Sequence, residues 1–397
     1  MTPASVSDYR ELARRRLPRV LFDYIDGGSY AEATLAANVD DLNALNLRQR
    51  VMRDVSKLSM KTQLFGQSLE MPVVLSPVGL AGMYARRGET QAARAAKAAG
   101  VPFALSTVGV CTIEEVAKAA VPPWFQLYMI KDRGYMAEVL ARANAAGCPA
   151  LLFTVDLPMP GARYRDTRNG MIATSAGARL NQALDGLAHP DWLWDVQISG
   201  GPHTLGNVAG ASAELKTITD FWTWIGRNFD PSVTWKDIEW VRERWKGPII
   251  LKGVLDVEDA RQAVACGVEG IVVSNHGGRQ LDGVASSIAA LPRIADAAGD
   301  DLTILMDGGV RSGLDVLKAL ASGAKACLIG RAWAWALGAR GEAGVTHMLQ
   351  ILRGELRMAM ALTGCTDVTA AGHALLDRDA EAVRQPTEAE GGRLAVK

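Results

Sequence analysis

From about residue 70 onward, short apolar runs alternate with stretches of helical composition. The candidate strands are Val73–Ser76, Phe103–Ser106, Phe125–Tyr128, Ala150–Val155, Ile249–Lys252, Ile271–Ser274, Thr303–Met306 and Ala326–Ile329. A half-exposed strand alternates polar and apolar residues. These runs are too short and too uniformly apolar for that, and they fit parallel strands covered on both faces. Between them, Gly88–Ala99 stops at Gly100, Asp132–Ala146 at Gly147, Val257–Cys266 at Gly267 and Leu314–Ser322 at Gly323. A glycine just past a helical segment is a stop signal. The repeated strand, helix, glycine cadence predicts βα units. Eight of them predict an α/β fold, a closed (β/α)8 TIM barrel, with an open doubly wound sheet as the alternative.

Two segments break the cadence. Residues 1–70 precede the first strand and read as N-terminal helices, with Ser7–Glu11 as a start signal and Gly27-Gly28 as a stop. Between strands four and five lie residues 157–247, far more than an ordinary βα loop needs. Trp235–Trp245 reads as the missing fourth helix. Residues 157–233 then form an insertion: a lid, a partner-binding segment or a membrane-contacting segment. Seven of the ten tryptophans fall between Trp192 and Trp245 (Trp192, Trp194, Trp222, Trp224, Trp235, Trp240, Trp245). Tryptophan favours membrane interfaces, but it equally packs a segment against a barrel or a neighbouring subunit. Residues 1–375 are read as one domain and 376–397 as a polar, fraying tail.

Composition acts mainly by exclusion. The chain has 397 residues, 49% of them hydrophobic and 22% charged, enough to bury a sizeable core. Lysine plus arginine equals aspartate plus glutamate at 43 each, so no global field draws in nucleic acid or a membrane. The five cysteines lie far apart without a C-x-x-C pair, which argues against a disulfide framework or a zinc site and for a reducing compartment. Met1–Arg16 has no apolar stretch of signal-peptide type, and no run approaches the ~18 apolar residues of a membrane span.

In such barrels the chemistry sits at the C-terminal ends of the strands. Each predicted strand end carries a polar group or a loop glycine: Ser76 to Gly79, Ser106, Gln126 with Tyr128, Thr154 to Asp156, Lys252, Ser274 to Arg279, Asp307 to Arg311, and Gly330 with Arg331. A purely structural barrel has no need of this. Gly308, Gly309 and Gly330, with Arg311 and Arg331, match a phosphate site, since glycines let backbone N–H groups approach an anion and arginines add charge-assisted bonds. The competing reading is that these glycines only make tight turns. His276 is a candidate base titrating near neutral pH, and Arg279, three residues on, offers a fork that fits a carboxylate. A lone histidine is more often structural; the flanking glycines and the strand end reverse that preference. Asp156 could hold the imidazole in one tautomer. Lys252 could stabilise an anionic cofactor or form a Schiff base.

The run Ser274-Asn275-His276-Gly277-Gly278-Arg279-Gln280-Leu281-Asp282 resembles the active-site signature of the FMN-dependent L-2-hydroxy-acid dehydrogenases and oxidases. The resemblance extends to about residue 370 through Leu21–Gly28, Pro77–Glu89, Gly161–Asp166 and Asn228–Trp240, and is nearest to the bacterial respiratory L-lactate dehydrogenases. It implies FMN as cofactor, no metal, and a small L-2-hydroxy acid as substrate. It also implies quinone or another electron acceptor, peripheral contact with the cytoplasmic side of the inner membrane, and a homotetramer. By the same resemblance His276 is the base, paired with Asp156. Arg163 and Arg279, helped by Tyr24, hold the substrate carboxylate, while Tyr128 bonds the substrate. Ser106, Gln126 and Thr154 contact the flavin, and Lys252 sits at its pyrimidine edge. Pro77, Val78 and Gly79 face its other reactive edge, and Ser274 completes the set. Asp307, Gly308, Gly309, Arg311, Gly330 and Arg331 hold the ribityl chain and phosphate.

Two mechanisms stay open at this level: removal of the hydroxyl proton as hydride leaves, or removal of the carbon proton to give a carbanion. The alternatives are an oxidase or mandelate-type dehydrogenase, a phosphate-binding barrel lyase or isomerase using Lys252, and a non-catalytic sensor.

Overall fold

The computed structural model describes residues 2–171, 175–209 and 224–377. Eight parallel strands form one sheet: β3 (Val73–Leu75), β4 (Ala104–Ser106), β5 (Trp124–Leu127), β6 (Leu151–Thr154), β7 (Ile249–Val254), β8 (Gly270–Val273), β9 (Thr303–Met306) and β10 (Ala326–Ile329). β10 pairs with β3, and a parallel bridge between Leu75 and Phe103 closes the ring at β3 and β4. The fold is therefore the closed barrel, and the open sheet is set aside. All eight runs lie where the apolar pattern puts them, with ends shifted by a residue or two. Tyr128, Val155 and Ser274 fall just beyond their strands.

The barrel interior is apolar below and polar above. Val74, Ala104, Trp124, Leu152, Ile250, Val272, Leu305 and Leu328 point inward as one buried cluster. Its floor is a hairpin that the sequence reading assigned to helices. β1 (Thr62–Leu64) and β2 (Gln67–Leu69) pair antiparallel around Phe65-Gly66, both of which have positive φ. The Phe65 ring lies edge-on to Trp124 at 5.7 Å, under the Cα of Gly270. Trp124 Nε1 donates to Gln67 Oε1 at 3.2 Å. This plug shuts one end of the barrel, so a ligand enters only from the other.

The N-terminal helices do not merely precede the barrel: the first packs against the long helix Arg331–Thr363, and the next two roof the open end. α1 (Val6–Arg16) starts from a capping box formed by Ser5 and Asp8, so the cap is Ser5 rather than Ser7. α2 (Arg19–Asp26) stops at Gly27 and carries Tyr24 to the mouth. α3 (Ala33–Ala44) carries Asn38, whose amide pairs reciprocally with that of Asn275 at 2.8 Å and accepts from Ser287 N–H.

The fourth crossover helix is Asp237–Arg244, slightly shorter than the stretch read from sequence. Within the insertion, helices span Tyr164–Arg168, Ala176–Leu187 and Pro190–Trp192, followed by a π-helical turn, Leu193–Ile198. Most of the tryptophan cluster is packing: Trp192, Trp224 and Trp245 are buried, and Trp235 and Trp240 lie partly buried against the core. Trp194 is exposed, and Trp222 lies outside the described residues. The tail does not fray from 376. Leu376 bridges to Leu47, and Asp377 N–H donates to Asn46 O, because the chain still has backbone partners there. Residues 378–397 lie outside the described residues.

Candidate active site

The open end of the barrel holds a cavity of about 770 Å3, its mouth included. Pro77, Val78 and Gly79 form one wall, and Gly308, Gly309, Arg311, Gly330 and Arg331 form another. Tyr24, Tyr128, Lys252, His276, Arg279 and Asp307 complete the lining. These residues come from six strand ends and from α2, and the fold brings them within one crater.

His276 sits at φ +58°, the left-handed region that a non-glycine residue rarely takes. The Ser274 hydroxyl fixes this turn by accepting from His276 N–H at 3.0 Å. On the far side of the ring, Nδ1 meets Asp156 Oδ1 at 2.9 Å and Oδ2 at 3.1 Å. A carboxylate on Nδ1 makes that atom the N–H donor and leaves Nε2 as the acceptor. The two side chains are 16% and 13% exposed. Burial pushes the imidazole pKa below its ordinary value, Asp156 opposes the shift, and Lys252 adds to it. The ring is therefore neutral at neutral pH. Burial alone would raise the Asp156 carboxyl, but His276 and Lys252 outweigh it and hold it below the usual carboxylate range.

Two guanidinium groups converge on Tyr24. Arg279 Cζ stands 4.9 Å and Arg163 Cζ 5.7 Å from the centre of its ring. Arg279 Nη1 donates to Tyr24 O at 2.5 Å and Gly27 O at 2.8 Å, which aims the fork. Burial, and then the like charge of Arg279, bring the Arg163 pKa down to about 10. The Arg163 cation persists at neutral pH, and the Asp166 carboxylate nearby offsets part of the repulsion between the two guanidiniums. Arg163 and Asp156 do not line the cavity; they stand behind the residues that do.

Whether the remaining residues fit FMN is testable on the geometry. Gly308 and Gly309 have φ of +96° and +86°, and a Cβ on Gly309 would lie 1.9 Å from Asn38 O, so no side chain is tolerated in this turn. Arg311 makes no ion pair among the described residues; it lies 4.8 Å from the Trp335 ring, and burial lowers its pKa to about 10. Asp307 Oδ2 pairs with Lys252 Nζ at 2.8 Å, while Oδ1 is buried without a hydrogen-bond partner. A glycine cradle, a withdrawn cation and an orphaned acceptor suit a phosphate and a hydroxylated chain. Arg331 lines the same wall and also ties elements together. Its guanidinium donates to Asp26 O, Gly277 O and Gly27 O, binding α2 to the His276 turn at the cavity wall.

Ser106, Gln126 and Thr154 form a buried chain instead of a cavity wall. Ser106 Oγ donates to Gln126 Oε1 at 2.9 Å, and Gln126 Nε2 donates to Thr154 Oγ1 at 3.0 Å. Beside them Lys252 Nζ donates to Ser274 Oγ at 3.0 Å. Burial opposes the Lys252 charge, but Asp307 and Asp156 raise its pKa, so the ammonium persists.

Sequence reasoning missed several groups that position these residues. Asp26 accepts from Arg10 at 2.5 and 2.8 Å and from Arg165 at 2.8 Å, which anchors α2 and hence Tyr24. An acid just before Gly27-Gly28 was the available signal. Gln280 lies within the signature itself. Its Nε2 donates to Asp156 O and Met159 O, tying the loop after β6 to the His276 turn. Asn38 carries no sequence signal, since nothing local distinguishes it in Ala-Ala-Asn-Val-Asp.

Comparison with known proteins bears on the same residues. The family model for FMN-dependent dehydrogenases matches residues 13–378. An L-lactate dehydrogenase of Caulobacter vibrioides is 59% identical over 377 residues, 95% of this chain and 98% of its own. One of Yersinia pestis is 55% identical over 386 residues, covering 97% of this chain and 100% of its own. Among solved structures, the monotopic membrane protein (S)-mandelate dehydrogenase superposes with a TM-score of 0.88 at 34% identity, over 95% of this chain and all of that one. A mandelate oxidase superposes with a TM-score of 0.81 at 40% identity, over 94% and 98%. Eight parallel strands, the crater at their ends and the match along nearly the whole chain agree: this protein belongs to the FMN-dependent dehydrogenase family.

Proposed function

We infer that this enzyme oxidises L-lactate, or a similar small L-2-hydroxy acid, to the 2-oxo acid with FMN as cofactor. The electrons pass to a respiratory acceptor such as quinone. FMN, when bound, supplies the two-electron chemistry. The protein's part is placement and charge. Arg279 and Arg163, held against Tyr24, bind the substrate carboxylate, and the Tyr128 hydroxyl bonds its oxygen. His276 Nε2 takes the proton, and Asp156 stabilises the imidazolium that results. Lys252 keeps a positive charge at the cavity wall, Pro77 to Gly79 shape the opposite side, and the cradle from Asp307 to Arg331 holds the phosphate end. The observation that carries this reading is the neutral His276 imidazole and the Arg279 guanidinium lining one crater, with Arg163 behind them against the same Tyr24 ring. Identities of 55% and 59% to L-lactate dehydrogenases favour lactate over the larger mandelate. The test is turnover of lactate, glycolate and mandelate with a dye acceptor and with oxygen. Lactate should lead with the dye, with little peroxide in air; mandelate leading, or rapid peroxide release, would replace this reading with a mandelate-type enzyme or an oxidase.

The pH dependence follows from the His276 environment. The base works only when neutral, and its pKa is lowered, so the acid limb of kcat/KM lies below pH 6.5. Asp156 is the group that raises that pKa. Asp156→Asn should therefore move the acid limb further down and slow turnover roughly tenfold as the base weakens. An acid limb that stays put, or rises, would remove Asp156 from the pair.

We infer also that the protein attaches peripherally to the cytoplasmic side of a membrane, near quinone, and works as a homo-oligomer, a tetramer, whose mass light scattering would read. No helix among the described residues is long and apolar enough to cross a bilayer. Support for surface attachment comes from an exposed apolar face on the insertion and from the monotopic character of the mandelate dehydrogenase it resembles.

A further inference from the structure

Asn38 and Asn275 stand outside the cavity lining and are 2% and 4% exposed. Each amide donates one hydrogen bond of 2.8 Å to the other and accepts one in return. Their remaining contacts fix which way both amides face. Asn275 Oδ1 also accepts from Gly278 N–H at 3.0 Å, and its Nδ2 donates to Ala285 O at 3.1 Å. Asn38 Oδ1 also accepts from Ser287 N–H at 3.1 Å. Turning either amide over would set donor against donor at one partner and acceptor against acceptor at another. The pair therefore has one arrangement, and in a buried place the loss of either half is costly.

This pair joins two parts of the site. Asn275 precedes His276 and Gly278 follows it by two, so the Asn275 amide grips both sides of the left-handed turn that carries the imidazole. On its other side α3 lies on the glycine cradle. A Cβ on Gly308 would stand 3.2 Å from Asn38 Oδ1, and one on Gly309 would stand 1.9 Å from Asn38 O. Asn38 thus meets the turn after β8 and the turn after β9 together. Charged groups on the elements packed around it are engaged elsewhere: Asp41 with Ser286 Oγ, Asp282 with Thr34 N–H, Lys318 with Leu42 O and Asp307 with Lys252.

We propose that Asn38 is a positioning residue that couples the His276 turn to the phosphate cradle, so that filling the cradle steadies the base. The proposal rests on the reading of His276 as base and of Asp307 to Arg331 as cradle, and it adds the link between them. Such a coupling is reciprocal: the turn, correctly set, steadies the cradle by the same amount.

The experiment follows two quantities in the FMN-loaded enzyme: kcat with L-lactate, and the FMN dissociation constant from flavin fluorescence on dilution. Each is measured from about pH 5 to 9 and divided by the wild-type value at the same pH, which cancels the titration of His276 and of the phosphate. Asn38→Asp keeps the shape of the side chain. Its ionised form turns an acceptor toward Asn275 Oδ1, whereas its protonated form donates there and restores the pair. Burial raises such a carboxyl into the measured range. At high pH its kcat should lie about 10–100-fold below wild type, and FMN should bind about fivefold more weakly. Both ratios should recover as the pH falls, with one shared midpoint. Asn38→Ala has no proton to gain and should show both losses at every pH. Asp41→Ala removes a different bond from the same helix and should keep both quantities within about threefold of wild type.

Ratios near one at every pH in the Asn38 variants would overturn the proposal. Recovery of kcat without recovery of FMN affinity would overturn the coupling. Losses in Asp41→Ala equal to those in Asn38→Ala would assign the effect to the helix as a whole and overturn it too. If Asn38→Asp takes up no flavin, Asn38→Ala decides by the same limits. Wild-type turnover is untouched by all of these outcomes, so the roles of His276 and the cradle stand or fall by their own variants.

Discussion

Replacing His276 with alanine should lower kcat with L-lactate by about 10²–10⁴-fold while FMN remains bound in full. The lower bound is set by what a positioned base contributes; the loss of the imidazolium's attraction to Asp156 adds to it. The variant isolates chemistry from folding. The left-handed turn at φ +58° strains alanine much as it strains histidine, and the Ser274 hydroxyl still accepts the backbone N–H. The cavity wall loses one ring while the glycine cradle of Gly308 and Gly309 is untouched, so the flavin absorption spectrum should persist. Turnover within about tenfold of wild type, with the spectrum intact, would mean that another group takes the proton.

Much of this arrangement was readable in the chain, and the reasons differ by element. The barrel strands were legible because burial on both faces leaves only apolar residues, a pattern that needs no partner to interpret. The crater was legible because polar residues and glycines recur at the ends of apolar strands; six of the eight ends line it, while Ser106, Gln126 and Thr154 bond to one another beside it. The hairpin β1–β2 was not, because its two strands have three residues each and its signal is a Phe-Gly turn without Asn or Asp. The roof formed by α2 and α3 was also hidden. Helical periodicity predicts that a segment buries one face, but not which surface receives it. Here the receiver is the His276 turn itself, through Asn38 on Asn275 and through Arg331 on Gly27 and Gly277. The tryptophans of the insertion show the reverse limit. Composition made them candidates for a membrane surface, yet most are held by ordinary packing, as with Trp192 Nε1 donating to Met83 O at 2.8 Å. The exposed face rests instead on Leu180, Leu184 and Leu187, whose helical spacing was present in the sequence and masked by the tryptophan count.

Arg279→Lys keeps the charge and should still reduce kcat/KM by about 10²-fold, because the loss lies in geometry. One edge of the guanidinium is already committed: Nη1 donates to Tyr24 O and Gly27 O. Only a planar fork can hold those carbonyls and still offer N–H groups to a carboxylate in the crater. An ammonium that serves the carbonyls abandons the substrate, and one that serves the substrate releases the link from the β8 turn to α2, on which the Tyr24 ring is carried. Two charge-assisted bonds at roughly 1.5–3 kcal/mol each are at stake, and Arg163, left in place, retains part of the binding. KM should rise and kcat should fall together, since a carboxylate held by one cation no longer fixes the hydroxyl carbon over His276. A substrate whose carboxylate is replaced by an amide separates this from a general loosening of the site. The wild type should discriminate strongly against the amide and the lysine variant much less. Equal discrimination by both would show that Arg279 orders the mouth of the barrel without holding the acid.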